Sequence, residues 1–480
     1  MIKTTVGHIA DVTGARIVVG DPARACHGCV IDSRSVGEDG VFVAFPGERV
    51  DGNEFAPQAL ESGAAAVVLT REPSEGLVRR AGELGAAVLV ADDPEAFLQD
   101  LASDYRGRLD CVVVGVTGSV GKTSTKDMLA AVLGTSRRVH ATAGNFNNLL
   151  GLPLTVLAAP EDAQVLVLEM GMNARGEIST LTRIARPDFG VVTKIGTSHI
   201  GMLGSREAIA DAKAEMLEGM EPSCAEGTRP SSALFLTAED DFTPYISEKH
   251  AAPRGVDVVL VGRSERAAVR AENVSLDGDG RPSFDVVAEG VPRFRVELAL
   301  TGEHSVSNAL LAVAVALRLG TDPADIAGAL SSMKATHMRQ EQVEAACGAR
   351  IIDDSYNASP DSCAAALDVL LSLPCDGRRI AVLGEIGELG DEACRLHGLV
   401  GAYVAAKRPD LLVCVGGDDA RSMADAARLM GMPEGAVLVA ATAEDALALA
   451  GGSLRAGDLV LVKGSRSVGL DKFVKGVCKR

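Results

Sequence analysis

One glycine-rich segment carries the clearest chemical signature of this chain. It reads GVTGSVGKTS over residues 115–124, follows the apolar stretch CVVVGV and opens the helix-favouring stretch KTSTKDMLAAVLG. Such a strand-to-helix turn directs backbone N–H groups and the helix dipole at phosphate, while the lysine reaches the β and γ oxygens and the threonine hydroxyl holds Mg²⁺. The segment predicts a nucleoside triphosphate site formed by Gly118, Gly121, Lys122, Thr123 and Ser124.

The spacing of this segment departs from the longer G-x-x-x-x-G-K-[ST] form, because Val116 occupies the first glycine position. What remains is G-x-x-G-K-T. A glycine-rich turn without a ligand is the alternative. The order of strand, Gly121-Lys122-Thr123 and helix favours phosphate binding.

Two further polar side chains follow apolar strands in the same section. The run Val165–Leu168 ends in Glu169, and the run Gly190–Thr193 leads into a loop that contains His199. The carboxyl edge of a parallel sheet is where α/β proteins bind ligands. Because Mg²⁺ keeps several waters and few protein ligands, Thr123, Glu169 and His199 could together hold one or two Mg²⁺ ions. Taken alone, Glu169 could be a solvated strand end and His199 a loop or core histidine.

Three other features are ambiguous on their own. Lys213 lies in a helical stretch and by itself indicates an exposed helix lysine. The segment DDSYN at residues 353–357 follows a predicted strand, so its side chains should cluster at a sheet edge, with a plain turn as the alternative. Cys26 and Cys29 form an isolated C-x-x-C. Since no second Cys/His pair stands at zinc spacing, two small core residues are favoured over a metal or redox pair.

The elements that position these residues follow an α/β pattern. Apolar β-type runs alternate with Ala- and Leu-rich helical stretches, which is typical of parallel sheets. We divide the chain into sections at residues 1–108, 109–333 and 334–480, with 222–254 as a loop-rich part of the second. The predicted strands are Val41–Phe45 and Ala64–Leu69 in the first section, Cys111–Val116 at the start of the second, and Arg350–Asp353, Arg379–Leu383, Leu411–Val415, Ala436–Ala440 and Asp458–Val462 in a doubly wound third section.

The composition excludes several classes of protein. The 480 residues carry 47 Lys plus Arg against 65 Asp plus Glu, a net charge of −18, and only 3% aromatic residues without Trp. An acidic, aromatic-poor surface disfavours nucleic acid and anionic membranes as partners. The start of the chain lacks the basic and apolar regions of a secretory signal, and the ten cysteines are scattered as expected of reduced thiols. We therefore expect a cytoplasmic enzyme.

The chain resembles the Mur ligase family over essentially its whole length. The match rests on the blocks IDSRSVGEDGVFVAFPGERVDGNEFAPQAL, GVTGSVGKTSTK, TAGNFNNLLGLPLT, LEMGMNARGEI and IIDDSYNASPDS with the later LVKGSRSVGLD. The family uses the shorter phosphate-binding form found here. The resemblance implies three domains: a UDP-substrate-binding domain, a central P-loop ATP-binding domain with a mainly parallel sheet, and a C-terminal Rossmann-like ligase domain.

The resemblance also implies an activity in cell-wall synthesis. It indicates a monomeric ligase that uses ATP and Mg²⁺, activates a carboxylate as an acyl phosphate and releases ADP and phosphate. The DDSYNA block favours the member that joins D-alanyl-D-alanine to UDP-N-acetylmuramoyl-tripeptide. Two alternatives stay open: the member that adds the third peptide residue, and a P-loop ATPase that acts as a regulatory module without a UDP-muramoyl substrate.

Residue roles carry over from the family by position. Lys213 resembles a carbamoylated lysine whose anion approaches Mg²⁺. The resemblance implies a catalytic role for Lys122, His199 and Lys213. It implies a metal-ligand role for Thr123, Glu169, His199 and Lys213. The positions that resemble the adenine, phosphate and ribose contacts are Asn308, Arg339, Asp353, Tyr356 and Asn357. The positions that resemble the UDP pocket are Ser33 and Arg34 with the loop 45–52, and those facing the muramoyl or peptide part are Thr142, Asn145, Asn147 and Asn148.

Overall fold

The computed structural model describes residues 1–47, 50–223 and 231–478. The first part of the chain forms a five-stranded sheet in the order β2-β7-β6-β5-β4, parallel except for β2, and a separate antiparallel pair of β1 and β3. Its elements are β1 (Lys3–Thr5), α1 (Val6–Thr13), β2 (Arg16–Val19), β3 (Ala25–His27), β4 (Cys29–Val30), β5 (Val41–Val43), α2 (Ala56–Glu61), β6 (Ala66–Leu69), α3 (Glu75–Leu84), β7 (Ala87–Val90) and α4 (Pro94–Arg108).

The second part forms a nine-stranded sheet in the order β16-β15-β14-β13-β12-β11-β8-β10-β9, parallel up to β14 and antiparallel at β15 and β16. Its strands are β8 (Val112–Thr117), β9 (Val139–Ala141), β10 (Val165–Glu169), β11 (Phe189–Val192), β12 (Ala233–Thr237), β13 (Asp257–Gly262), β14 (Val269–Leu276), β15 (Pro282–Ala288) and β16 (Val291–Glu297). Its helices are α5 (Lys122–Gly134), α6 (Gly151–Ala158), α7 (Glu177–Ala185), α8 (Ile200–Leu203), α9 (Arg206–Ala214), α10 (Thr243–Ile246), α11 (His304–Arg318) and α12 (Pro323–Ser332).

The third part forms a six-stranded sheet in the order β17-β18-β22-β19-β20-β21, parallel except for the edge strand β17. Its elements are β17 (Glu341–Glu344), β18 (Arg350–Asp354), α13 (Pro360–Ser372), β19 (Arg379–Gly384), α14 (Ala393–Lys407), β20 (Leu411–Val415), α15 (Asp418–Leu429), β21 (Val437–Ala440), α16 (Ala443–Ala450), β22 (Leu459–Lys463) and α17 (Asp471–Cys478).

The central strands are parallel because they are apolar and buried on both faces. Every residue of β10 and β11 is buried, which is the pattern of a sheet covered by helices on each side. Strand β8 lies between β10 and β11. After β8 the chain forms β9 and β10 on one side of this strand and then β11 on the other side, so the strand order reverses at β8. A crevice opens at such a reversal, outside the carboxyl ends of the strands. The predicted α/β fold is confirmed.

Two expectations about the elements need correction. The third section has six strands, because the polar segment β17 pairs with β18 as the edge strand of the sheet and was not recognisable as a strand. The part of 222–254 that the structure describes is mostly regular: the buried apolar β12 is followed by α10 and short helical turns. Pro244 lies in the first turn of α10, a position where proline is favourable.

The helices of the described ranges include none that is long and apolar enough to cross a membrane. Helix α14 packs closely on α15, and a side chain at Gly401 would overlap the carbonyl oxygen of Met423. A side chain at Gly398, on the same helix, would make an ordinary contact of 3.9 Å with Ala426. The close approach of the two helices therefore depends on Gly401.

We expect Gly401→Ala to lower the free energy of unfolding by about 1–3 kcal/mol, because the methyl group forces the two helices apart. The matched change Gly398→Ala should leave stability unchanged or raise it by up to about 1 kcal/mol, since alanine favours a helix. Urea titration of both variants measures the difference. Equal stabilities would contradict the packing described for α14 and α15.

Candidate active site

The turn between β8 and α5 has a backbone that only glycine can adopt. Gly118 has φ +147° and Gly121 has φ +90°. A side chain at Gly118 would overlap Thr193 Oγ1, and one at Gly121 would overlap Asn308 Oδ1. Thr193 Oγ1 donates a hydrogen bond of 2.6 Å to the carbonyl oxygen of Val120. The turn is thus closed around its glycines and fixed by the neighbouring strand, and it leads directly into the start of α5, where helix N–H groups can face a ligand.

Lys122 begins α5 and folds back over this turn. Its Nζ donates a hydrogen bond of 2.7 Å to the carbonyl oxygen of Gly118. Burial lowers the pKa of Lys122, and the nearby Glu169 carboxylate acts in the opposite direction. A half-buried cation beside the start of a helix is an environment that favours an anionic ligand.

Glu169, at the end of β10, is buried and connects three segments. Its Oε2 accepts a hydrogen bond of 2.9 Å from Thr123 Oγ1, and its Oε1 accepts one of 2.8 Å from Asn147 Nδ2. Its backbone N–H donates to Thr142 Oγ1 at 3.0 Å. With 2% of its surface exposed, it is not a solvated strand end.

His199 lies where the central and C-terminal sheets meet. It adopts a left-handed backbone (φ +64°) just before α8. Its Nδ1 lies 2.7 Å from Oε2 of Glu388, a residue of the loop after β19. This contact holds the pKa of Glu388 below its usual range. The sequence analysis did not single out Glu388.

Lys213 is buried, with 1% of its surface exposed, so the reading as an exposed helix lysine is wrong. The reason is that α9 is itself buried from Ala208 to Ala214 except at Asp211. Burial and the neighbouring charge of Lys122 hold the pKa of Lys213 well below its usual range. Among the described residues, no carboxylate lies within 4.0 Å of its Nζ.

A cleft of about 740 Å³ opens between the central and C-terminal sheets. It brings together most of the predicted site residues, namely Gly121, Lys122, Thr123, Ser124, Asn145, Asn147, Asn148, Glu169, His199, Asn308, Arg339, Tyr356 and Asn357. Six predicted residues do not line it. These are Gly118 and Thr142, which support the lining residues, and Lys213, Asp353, Ser33 and Arg34.

On the C-terminal side of the cleft, the aspartate that lines the cleft is Asp354, whereas the sequence analysis assigned a nucleotide contact to Asp353. Successive side chains of a strand point to opposite faces, and Asp354 lines the cleft. Its Oδ2 lies 2.6 Å from Lys463 Nζ. Asp353 Oδ1 instead accepts hydrogen bonds from the N–H and hydroxyl of Ser355, and burial raises the pKa of Asp353.

Arg339 and Tyr356 form the other polar feature of this wall. The Arg339 guanidinium lies 4.4 Å from the centre of the Tyr356 ring, and the Tyr356 N–H donates to the carbonyl oxygen of Met338 at 3.3 Å. A guanidinium stacked on an aromatic ring is held in place while its N–H donors stay available. This pair can therefore present positive charge to a ligand in the cleft.

The predicted residues of the first domain lie apart from this cleft. Ser33 is buried and its Oγ donates to Gln58 Oε1 at 3.3 Å, while Arg34 is exposed and pairs with Asp32 at 2.8 Å. Within the predicted loop 45–52, Glu48 and Arg49 lie outside the described residues.

Cys26 and Cys29 fit the core interpretation. Burial raises the pKa of Cys26 to about 11 and that of Cys29 to about 12, so both thiols stay protonated at neutral pH. Throughout the part of the chain that the structure describes, no three His, Cys, Asp or Glu side chains are grouped to hold a metal ion. A metal ion in the cleft would therefore need ligands besides His, Cys, Asp and Glu side chains.

Comparisons with known proteins agree with this arrangement. The Mur ligase family, catalytic domain, matches residues 25–106, the Mur ligase middle domain matches 116–316, and the Mur ligase, glutamate ligase domain, matches 338–466. The chain is 38% identical to the UDP-N-acetylmuramoyl-tripeptide–D-alanyl-D-alanine ligase of Bacillus subtilis, over 99% of this chain and 98% of that protein. It is 37% identical to the ligase of the same name from Mycobacterium tuberculosis, over 98% and 96%.

Solved structures show the same fold. The crystal structure of MurF from Acinetobacter baumannii covers 100% of both chains with a TM-score of 0.86 at 29% identity. The MurF ligase of Thermotoga maritima, solved in complex with ADP, covers 94% of this chain and 97% of that one, with a TM-score of 0.77 at 27% identity.

The buried Lys213 should make stability depend on pH. Its folded pKa is below the unfolded value of about 10.4, so the unfolded chain binds more protons between these two values and stability rises with pH there. Lys213→Met keeps the side-chain length and removes this titration. In bicarbonate-free buffer at pH 7, we expect the variant to have a higher urea midpoint than the unaltered chain. The difference between the two midpoints should become smaller toward pH 9.5. A difference that does not change with pH would contradict the lowered pKa of Lys213.

Proposed function

Because this chain belongs to the Mur ligase family, we propose that it joins D-alanyl-D-alanine to UDP-N-acetylmuramoyl-tripeptide with ATP, yielding the UDP-muramoyl-pentapeptide, ADP and phosphate. The observation that carries this proposal is the match over nearly the whole chain to ligases named for this reaction. The phosphate-binding turn, with Thr123 and Glu169 in contact beside it, supports the use of ATP. The reaction is a step of peptidoglycan synthesis.

The residues of the cleft suggest how ATP is held. Lys122 and the turn from Gly118 to Ser124 bind the β- and γ-phosphates, whose negative charge faces the Lys122 ammonium. Arg339 reaches the phosphates from the opposite wall, and Asn308, beside Gly121, meets the adenine. Asn357 and the stacked Tyr356 border the nucleoside.

The ribose contact is the one place where we revise the family assignment. We assign it to Asp354 rather than Asp353, because Asp354 lines the cleft and Asp353 is turned toward Ser355. Lys463 holds the Asp354 carboxylate through its Nζ and also donates to the carbonyl oxygen of Asn357 at 3.0 Å. The wall that meets the ribose is thereby fixed by a buried lysine.

The residues around Lys122 suit Mg²⁺. Thr123 and Glu169 offer oxygen ligands, and His199 lines the same cleft. The amine of Lys213 is buried and has no carboxylate within 4.0 Å among the described residues, so it can react with CO₂, and the resulting carbamate would add the anionic oxygens that Mg²⁺ prefers. When bound, one or two Mg²⁺ ions would neutralise charge on the phosphates.

The chemistry proceeds in two transfers. A carboxylate oxygen of the tripeptide attacks the γ-phosphorus, the bond to the β–γ bridging oxygen breaks, and ADP leaves. The amine of D-alanyl-D-alanine then attacks the acyl carbon and loses a proton. The carbon–oxygen bond to phosphate breaks, and phosphate departs with the electron pair. The task of Lys122 and Arg339 is to position the phosphates and balance their charge.

The other substrate binds where the first and central domains supply polar groups. We assign the UDP part to Ser33, Arg34 and the loop 45–52, and the muramoyl-peptide part to Asn145, Asn147 and Asn148. Thr142 supports Asn147 through Glu169. The domains span residues 1–108, 109–333 and 334–480. A monomer in the cytoplasm is part of the same proposal.

The acceptor distinguishes this function from its alternatives. With UDP-N-acetylmuramoyl-tripeptide and ATP, we expect phosphate release and a product heavier by one D-alanyl-D-alanine residue pair. L-alanyl-L-alanine, lysine and diaminopimelate should support at least tenfold less product, measured by mass spectrometry. Efficient addition of a single diamino acid to UDP-muramoyl-dipeptide would assign the chain to the third-residue ligase. ATP turnover that ignores every UDP-muramoyl substrate would indicate a regulatory ATPase.

The carbamate on Lys213 can be observed directly. We expect protein equilibrated with ¹³C-bicarbonate to show one carbamate carbon signal by NMR that disappears in Lys213→Arg, because a guanidinium does not take up CO₂. Activity of this variant should fall about 100-fold or more, the scale of losing an electrostatic contact in the transition state. Lys126→Arg, at another buried lysine, is the control that should keep the signal. A fully active Lys213→Arg would contradict the carbamate.

A further inference from the structure

Residues 193–201, which we call the bridging segment, run from the end of β11 to the start of α8 and contact the phosphate-binding turn. The carbonyl oxygen of Lys194 accepts a hydrogen bond of 2.8 Å from the N–H of Ser119. Ser198 Oγ donates to the carbonyl oxygen of Ser119 at 3.2 Å, and Thr193 Oγ1 donates to that of Val120. These hydrogen bonds attach one side of the bridging segment to the phosphate-binding turn.

The other side of the bridging segment contacts the C-terminal domain. Lys194 Nζ lies 2.8 Å from Asp361 Oδ1, in the first turn of α13. The Gly201 N–H donates to the carbonyl oxygen of Glu388 at 3.1 Å, and a side chain at Gly201 would overlap the backbone of Gly390. His199 meets the carboxylate of the same Glu388. The segment joins the phosphate-binding turn to two places in the other domain, the start of α13 and the loop that carries Glu388.

That loop, residues 385–390, is held rigidly by its own domain. The N–H of Ile386 donates to Nε2 of the buried His397 at 2.8 Å, and Nδ1 of His397 bonds to the carbonyl oxygen of Ala393 at 2.7 Å. The N–H of Gly387 donates to Ser465 Oγ at 2.8 Å. Contacts from α14 and from the end of β22 thus fix the backbone that carries Glu388.

The contact with Glu388 favours one nitrogen of His199 for a ligand. Oε2 of Glu388 lies 2.7 Å from Nδ1, a buried atom that makes no aligned hydrogen bond with the described residues. The nearby carboxylate favours a proton on Nδ1, so that Nε2 keeps the lone pair with which histidines bind metals. His199 lines the cleft that contains Thr123 and Glu169. The carboxylate comes from the C-terminal domain, whereas these three residues belong to the central domain.

We propose that Glu388 is a positioning residue that holds His199 with Nε2 toward the Mg²⁺ of the nucleotide, so that this metal ligand is completed by the C-terminal domain. The proposal rests on the metal role assigned to His199 above. Contact between the two domains then contributes to metal affinity as well as to shielding the nucleotide from water.

The competing explanation is that the contact between Glu388 and His199 only holds the two domains together. The chain offers a control variant for this explanation. The Lys194–Asp361 pair also joins the domains through the bridging segment, but it contacts neither His199 nor Glu388. Asp361→Asn weakens the domain contact without changing the partner of His199. Glu388→Gln keeps an oxygen that can accept the Nδ1 proton, whereas Glu388→Ala does not.

The test measures Mn²⁺ bound in the presence of saturating ADP, by the electron paramagnetic resonance of free Mn²⁺, with the full-length chain. We expect Glu388→Ala to weaken Mn²⁺ binding about tenfold or more, the usual effect of removing the partner of a metal-binding histidine. Glu388→Gln and Asp361→Asn should stay within about threefold of the unaltered chain. The double variant His199→Ala/Glu388→Ala should bind no more weakly than His199→Ala alone.

Three outcomes would overturn the proposal. Unchanged affinity in Glu388→Ala, alongside weakened affinity in His199→Ala, would mean that Glu388 does not position the histidine. An equal loss in Asp361→Asn would mean that any contact between the domains suffices. Unchanged affinity in His199→Ala would remove the metal role of His199 on which the inference rests, while ligation of D-alanyl-D-alanine would remain a separate measurement of the proposed function.

Discussion

The buried carboxylate of Glu169 is the interaction on which the arrangement of the site depends. Moving a charge out of water is costly unless hydrogen bonds replace the solvent. Thr123 and Asn147 each bond one of its oxygens, and Thr142 bonds its backbone N–H. Because these residues come from the start of α5, the loop before α6 and the end of β9, satisfying one carboxylate fixes the phosphate side and the substrate side of the cleft relative to each other.

Positive charge accumulates around this carboxylate without enough anions to balance it. Burial lowers the pKa of both Lys122 and Lys213, and the charge of Lys122 lowers the pKa of Lys213 further. Phosphate groups and a carbamate would supply the missing negative charge at two nearby points. The fold thus maintains an unfavourable charge distribution that ligand binding relieves.

The sequence was informative where function depends on local residue order. The phosphate-binding turn is recognisable because its glycines, lysine and threonine are contiguous, and the strands β10, β20 and β22 are recognisable as short apolar runs. The burial of Lys213 was not recognisable, since it depends on what covers α9. Glu388 was missed because it lies far along the chain from His199 and meets it only through the contact between domains.

The two aspartates at the end of β18 carry a sequence signal that the prediction did not use. Alternation along a strand requires Asp353 and Asp354 to point to opposite faces, so only one of them can meet the cleft. The sequence could not tell which one, because that depends on the helices packed against each face. In contrast, a strand as polar as β17 carries no periodic apolar signal and is defined by its pairing with β18.

The central claim is that this chain activates a peptide carboxylate by transferring phosphate to it. The most direct measurement uses UDP-N-acetylmuramoyl-tripeptide labelled with ¹⁸O in its reacting carboxylate, and follows the label by mass spectrometry as D-alanyl-D-alanine is joined. We expect one ¹⁸O atom to appear in the released inorganic phosphate for each peptide bond formed, because the acyl carbon–oxygen bond breaks when the amine attacks. Unlabelled phosphate released with a normal yield of product would contradict the acyl phosphate and, with it, the account of the site.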